Sequence, residues 1–144
     1  MITIPTAAGV FSLCAALNKC LVGTRPQPLA GEWVRLQPIY NLGASFGLPV
    51  RGKKLVLASG GMLAVLTATM LPHPKAAARL GLGLTLGGGA SNLWERINVG
   101  AVFDYIRFPK LPGPMGRLVF NAADFAIFGG LALMAVGRER KPRP

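Results

Sequence analysis

The chain has 144 residues, 51% of them hydrophobic and only 15% charged, with a mass of 15.1 kDa and a mean hydropathy of +0.45. Soluble domains carry about 25% charged residues, and one this small could not cover so much apolar surface with so few charges; intrinsic disorder is excluded on the same grounds. The 16 Lys+Arg against 5 Asp+Glu give a net charge of +11. In so apolar a chain that excess points to anionic lipid head groups beside membrane spans, ahead of nucleic acid.

In chain order, residues 1–17 form a first apolar stretch closed by Asn18 and Lys19. No Lys or Arg precedes its core, so an uncleaved first span is expected rather than a signal peptide. A long link, 22–52, holds Pro26, Pro28, Pro38 and Pro49. Polar and apolar residues alternate over 32–37, which predicts a half-exposed strand and a small β element on the membrane surface. The second stretch, 55–71, has no charge between Lys54 and Lys75. A short link then breaks at Pro72 and Pro74, with His73, the sole histidine, between them; that placement gives no support to a Ser-His-Asp triad or a histidine metal site. The third stretch is 80–94. The link 98–117 holds Pro109, Pro112 and Pro114 and predicts a loop with a short strand at 101–108. The fourth stretch, 118–137, contains one charge, Asp124, before the basic tail 138–144.

A membrane-spanning helix takes ~17–25 residues. The expectation is therefore an all-α membrane protein, a single integral domain over 1–144, with four transmembrane helices near 2–20, 54–71, 78–97 and 119–137 and a small β element after the first. The tail, with Lys75 and Arg79, places both termini on the cytoplasmic side, although 10 of the 16 basic residues fall on the opposite face. Cys14 and Cys20 lie six residues apart, on different helical faces, without metal spacing. A disulfide within that helix is not expected.

With four antiparallel spans, the polar residues at membrane depth gather at one face. Lys19 and Asn18 end the first span; Asn92, Glu95 and Arg96 end the third at i, i+3 and i+4; Asn121 and Asp124 open the fourth; Asp104 sits in the link before it. Polar residues are costly in lipid and mark a site by default. Asp104 and Asp124 are the only aspartates. Two carboxylates in a poorly solvated place cannot both ionise easily, which leaves a neutral acid beside an ionised base. Such a pair can activate water against a peptide carbonyl and protonate the leaving amine. Structural explanations stand beside this one: a helix-dipole partner for Asp124, a turn role for Asp104, an interfacial pair for Glu95 and Arg96, a snorkelling end charge for Lys19.

The stretch Gly88-Gly89-Ala90-Ser91-Asn92-Leu93-Trp94-Glu95-Arg96 followed by Gly100-Ala101-Val102-Phe103-Asp104-Tyr105-Ile106 resembles the Gly-Asn-x-x-Asp-Arg…Val-Val-Asp-Phe-Ile region of the lipoprotein signal peptidase (signal peptidase II) family. Phe120-Asn121-Ala122-Ala123-Asp124-Phe125-Ala126-Ile127 resembles its Phe-Asn-x-Ala-Asp-Ser-Ala-Ile, Asn41-Leu42-Gly43-Ala44-Ser45-Phe46 its Asn-x-Gly-Ala-Ala-Phe, and Lys19 falls where its Asp-x-x-x-Lys element ends. The resemblance implies an intramembrane aspartic peptidase with four helices and an extracytoplasmic β cradle, in the bacterial inner membrane, cutting the signal peptide from diacylglyceryl-modified prolipoproteins before the lipid-bearing Cys. It implies Asp104 and Asp124 as the catalytic pair, with Asn41, Asn92, Glu95, Arg96, Asn121 and Lys19 in support. It implies no metal or organic cofactor; the partners would be the prolipoprotein and membrane lipids, with no nucleic acid, and the protein is expected to be a monomer. Three positions depart from the pattern: Ala15 replaces an acidic residue, Glu95 an aspartate and Ser91 a glycine. A divergent active peptidase is the favoured reading. The rival is a non-catalytic or substrate-altered paralogue that binds a lipid or partner helix through its small-residue faces and the basic rim of Arg25, Arg35, Arg51, Lys53 and Lys54.

Overall fold

The computed structural model describes residues 2–43, 52–72 and 75–137. His73, Ala44-Ser45-Phe46 of the Asn41 motif, Arg51 and the basic tail therefore lie outside the described residues. The elements run α1 (Thr3–Leu21), β1 (Gln27–Ala30), β2 (Val34–Asn41), α2 (Gly52–Met70), α3 (Ala76–Asn98), β3 (Val102–Arg107), a short 3-10 helix (Gly113–Arg117), β4 (Val119–Phe120) and α4 (Ala122–Gly137).

Two helices, α1 and α2, are each 19 residues long and apolar enough to cross a membrane. Their surfaces suit lipid: Ile4 is 71% and Leu57 74% exposed, and Val136 on α4 reaches 81%. The buried set, by contrast, includes Thr3, Thr85, Ser91, Asn92, Asp104, Asn121 and Asp124. Apolar outside and polar inside is the distribution that hydrocarbon solvent selects. The protein is integral to the membrane.

Helix α3 is the central element, packed by α1, α2 and α4. Its glycines let the neighbours come close. A Cβ on Gly83 would meet the Thr3 carbonyl of α1 at 2.8 Å, and one on Gly88 would meet the Ala123 carbonyl of α4 at 2.5 Å and Ile127 Cγ1 at 3.2 Å. Gly88→Ala is accordingly expected to push α4 away and cost about 1–3 kcal/mol, read as a lowered Tm in detergent. An unchanged Tm would show that α4 has room to yield.

The four strands form one antiparallel sheet in the order β1-β2-β3-β4. The sequence predicted strands at 32–37 and 101–108; the structure extends the first to Asn41, where it pairs with β3, and adds β1 and β4. Between the pairs Leu36↔Ile106 and Ile39↔Asp104 the strand β2 carries one extra residue. Pro38 falls in this irregularity, where its missing N–H does least harm. Positions 119–120, expected to open the fourth span, pair instead with β3, and α4 starts at Ala122. Gly23 (φ 83°) and Gly100 (φ 81°) lie just beyond α1 and α3 in the left-handed region, which lets the chain leave each helix sharply. Leu36, Phe103 and Tyr105 form a small core on the sheet, with Leu21 and Ala122 packed against it.

Candidate active site

Side chains alternate along β3, so Phe103 and Tyr105 point into that core while Val102 and Asp104 take the other face. All four are buried. Asp104 Oδ1 accepts from Asn121 Nδ2 at 2.8 Å, and Asp104 Oδ2 accepts from Asn41 Nδ2 at 3.0 Å. Asn41 sits opposite Val102 in the β2–β3 register, diagonal to Asp104. It is steadied by the Gly43 N–H, which donates to its Oδ1 at 3.0 Å.

Asn121 and Asp124 form a reciprocal capping box. The Asp124 N–H donates to Asn121 Oδ1 and the Asn121 N–H donates to Asp124 Oδ2, each at 3.0 Å. Two of the orphan donors at the start of α4 are satisfied in this way. Asp124 thus has a structural role, as its place in the first turn suggested. Its other oxygen, Oδ1, accepts from Asn92 Nδ2 at 3.2 Å, while Asn92 Oδ1 accepts from Asn121 Nδ2 at 3.0 Å. One asparagine, 1% exposed, therefore holds both aspartates and Asn92.

Burial pushes the Asp104 carboxyl up to about 7, and the nearby Asp124 adds to the rise; the hydrogen bonds from Asn41 and Asn121 and the Arg96 guanidinium pull it back. Asp104 thus holds its proton at pH values where an ordinary carboxyl is ionised.

The remaining expected residues take different places. Glu95 Oε1 accepts from Asn18 Nδ2 at 2.6 Å and Glu95 Oε2 from the Phe103 N–H at 2.9 Å. Arg96 Nη1 donates to the Asn92 carbonyl at 3.3 Å, and its buried Nε has no hydrogen-bond partner among the described residues. Lys19 is exposed on α1, away from the polar centre's hydrogen bonds. Sequence reasoning passed over the Tyr105 hydroxyl, which accepts from the Ala122 N–H at 3.1 Å and ties β3 to the start of α4. It counted Asn18 among the polar residues gathered at this face but gave it no role in the site.

Two grooves reach this centre. One, of about 470 Å³, runs over α3 between α2 and α4; Met62, Leu66 and Leu131 line it, with Asn92, Arg96 and Asp124 also on its wall. The other, of about 440 Å³, is lined by Leu42, Lys53, Val56 and Ile97, and shares Arg96.

The fold and this centre define an integral membrane protein whose helices and sheet enclose a pair of hydrogen-bonded carboxylates. A family model described as signal peptidase (SPase) II matches residues 8–138. The lipoprotein signal peptidase of Moorella thermoacetica is 30% identical over 126 residues, covering 82% of this chain and 80% of that one. The lipoprotein signal peptidase of Gloeobacter violaceus is 33% identical over 130 residues, covering 79% and 72%. A bacterial membrane enzyme solved by the in meso method at 2.3 Å resolution superposes with a TM-score of 0.81 at 17% identity, over 98% of this chain and 94% of that one. The chain belongs to the signal peptidase II family.

Proposed function

We propose that this protein is an intramembrane aspartic endopeptidase whose reacting pair is Asp104 and Asp124. It removes the signal peptide from lipoprotein precursors, as its family and its relatives' names support. The observation that carries the assignment of the pair is the shared Asn121: beside an apolar groove, the buried carboxylate on β3 accepts from its side-chain amide and the one on α4 from its backbone N–H. The ionised member takes a proton from a water as the water oxygen attacks the scissile carbonyl. The neutral member hydrogen-bonds the carbonyl oxygen and then protonates the departing amine. The pair titrates jointly, so the proton belongs to both. Arg96 lines both grooves and so places a positive charge beside the path of the substrate.

The substrate's signal helix would lie along α3 between α2 and α4, and the diacylglyceryl group on its Cys would anchor it in the bilayer and supply proximity. In this reading 1–144 is one domain and all four helices cross the membrane. Both termini are cytoplasmic, the sheet lies on the extracytoplasmic surface, and Lys19 snorkels to that surface. The non-catalytic paralogue is not favoured, because the chain aligns over most of the length of relatives named lipoprotein signal peptidase.

A gel-shift assay tests the function. The purified chain in detergent should shorten a diacylglyceryl-modified prolipoprotein and leave the same precursor with Cys→Ser at the lipid site intact. No cleavage of several lipidated precursors by well-folded protein would sink the assignment.

The protonation of Asp104 fixes the expected pH dependence. Below about 7 the pair keeps the proton that the acid role needs; above it that proton is lost, so kcat/KM should fall with a basic limb near 7. The Asn41 hydrogen bond favours the ionised form. Asn41→Ala should therefore move the limb to higher pH, with Asp124, Arg96 and Asn121 still facing Asp104. A limb that stays or moves down would contradict the effect assigned to Asn41.

A further inference from the structure

We propose that Glu95 is a positioning residue that sets where Asp104 sits, acting with Asn18 as a strut between α1 and β3; this rests on the reading of Asp104 and Asp124 as the reacting pair. Strand β4 pairs only with Ile106 and Arg107, at the far end of β3. The Phe103 N–H, one residue before Asp104, is outside that pairing and donates to Glu95 Oε2 at 2.9 Å. A side-chain carboxylate thus takes the place of the missing strand's carbonyl. An unmet buried amide is costly, so the backbone here follows wherever the carboxylate is held. What holds it is Asn18, in the last turn of α1, whose Nδ2 donates to Oε1 at 2.6 Å. Both oxygens are occupied in this way, and among the described residues no ion pair joins Glu95 to Arg96. Without the strut the backbone at the start of β3 would be held by its pairing with β2 and the packing of Phe103, and Asp104 would lose its register on Asn121.

The hydrogen-bond polarity of the strut supplies a test that a general packing role would not pass. Glu95 accepts at both ends. In Glu95→Gln the amide oxygen can still accept from the Phe103 N–H, and the amide NH2 can donate to Asn18 if the Asn18 amide turns over. That variant should keep kcat within about threefold of wild type. Asn18→Asp sets carboxylate against carboxylate and should lower kcat on a lipidated precursor by about 10²-fold with KM unchanged, the scale of a displacement near 1 Å. The double variant Asn18→Asp/Glu95→Gln restores a donor facing an acceptor at each end and should recover kcat to within about threefold of wild type. The assay uses the full chain in detergent, with thermal unfolding of each variant and Asp104→Asn alongside. Full kcat in Asn18→Asp, no recovery in the double variant, or a rise in KM in place of the fall in kcat would each overturn the strut. So would a recovery of Tm in the double variant without recovery of kcat. Retained turnover in Asp104→Asn would overturn the reacting pair; an inactive Asp104→Asn beside an unaffected Asn18→Asp would overturn the strut alone.

Discussion

Asp104→Asn and Asp124→Asn are each expected to lower turnover of a lipidated prolipoprotein by roughly 10³-fold, within the range that general acid–base groups supply. The protein should still insert and fold. Asp104 accepts two hydrogen bonds, from Asn121 and Asn41. An asparagine there can accept only one and turns its NH2 against the other donor, for a loss of about 1–2 kcal/mol. Asp124 caps α4 with Oδ2, a bond that the amide oxygen of asparagine can reproduce, but its Oδ1 accepts from Asn92, so Asp124→Asn also turns its NH2 against a donor and should lower Tm by a similar amount. Stability against pH gives a second readout for Asp104. A carboxyl raised to about 7 in the fold from 3.8 stabilises the folded state fully below 3.8, and that contribution is lost as pH rises through 7. Asp104→Asn should flatten this slope. If either single variant keeps wild-type turnover, the reaction does not run through the pair.

Asn121→Ala should be the most damaging change to the site that leaves both aspartates in place. It removes the N-cap of α4, worth about 0.5–2 kcal/mol. It also takes the donor away from Asp104 and from Asn92 Oδ1, leaving buried acceptors unmet at about 1–3 kcal/mol. We expect a combined loss of about 2–4 kcal/mol, measured by thermal unfolding in detergent, and a fall in kcat of at least about 10²-fold. Asn121→Asp offers the contrast. It can still cap the helix, but it returns no donor to Asp104 or Asn92 and places a third carboxylate against Asp104, so at most the capping part of the stability should return, and activity should not. Recovery of both would mean that Asn121 acts only as a cap.

Parts of this site are legible from residue spacing. Asn121 and Asp124, three apart and just ahead of an apolar run, carry a capping-box pattern, and the structure shows both reciprocal bonds. Asn92 and Glu95 share a helix face, but they serve different neighbours: Asn92 meets α4, and Glu95 meets α1 and β3. Spacing fixes a face without saying which element covers it. The sequence also left Glu95 free to bind Arg96 or another neighbour, and saw no replacement for the acidic residue absent at Ala15. Asn18 and the Phe103 N–H are the partners that Glu95 takes. Strand β1 was illegible because its four residues are all exposed, with Pro28 among them, so no alternation marks it. Strand β4 was hidden because Val119–Phe120 continues the apolar run of α4. The low hydropathy of α3 has its reason in its central place: a helix ringed by others needs small residues for contact more than it needs leucines for lipid.

The pairing of β2 with β3 joins a strand made before α2 to one made after α3. Asn41 lies 63 residues before Asp104, and Asn18 lies 77 residues before Glu95. During synthesis α1 and β2 therefore emerge without the later partners of Asn18 and Asn41, and the polar centre stays incomplete until the last link and α4 have followed. With Asp104 and Asp124 as the proposed reacting pair, activity would be tied to completion of the chain. A ribosome-bound intermediate ending before Asn121 has at most one aspartate, no cap and no shared asparagine, and would leave neighbouring precursors uncut until α4 is in place.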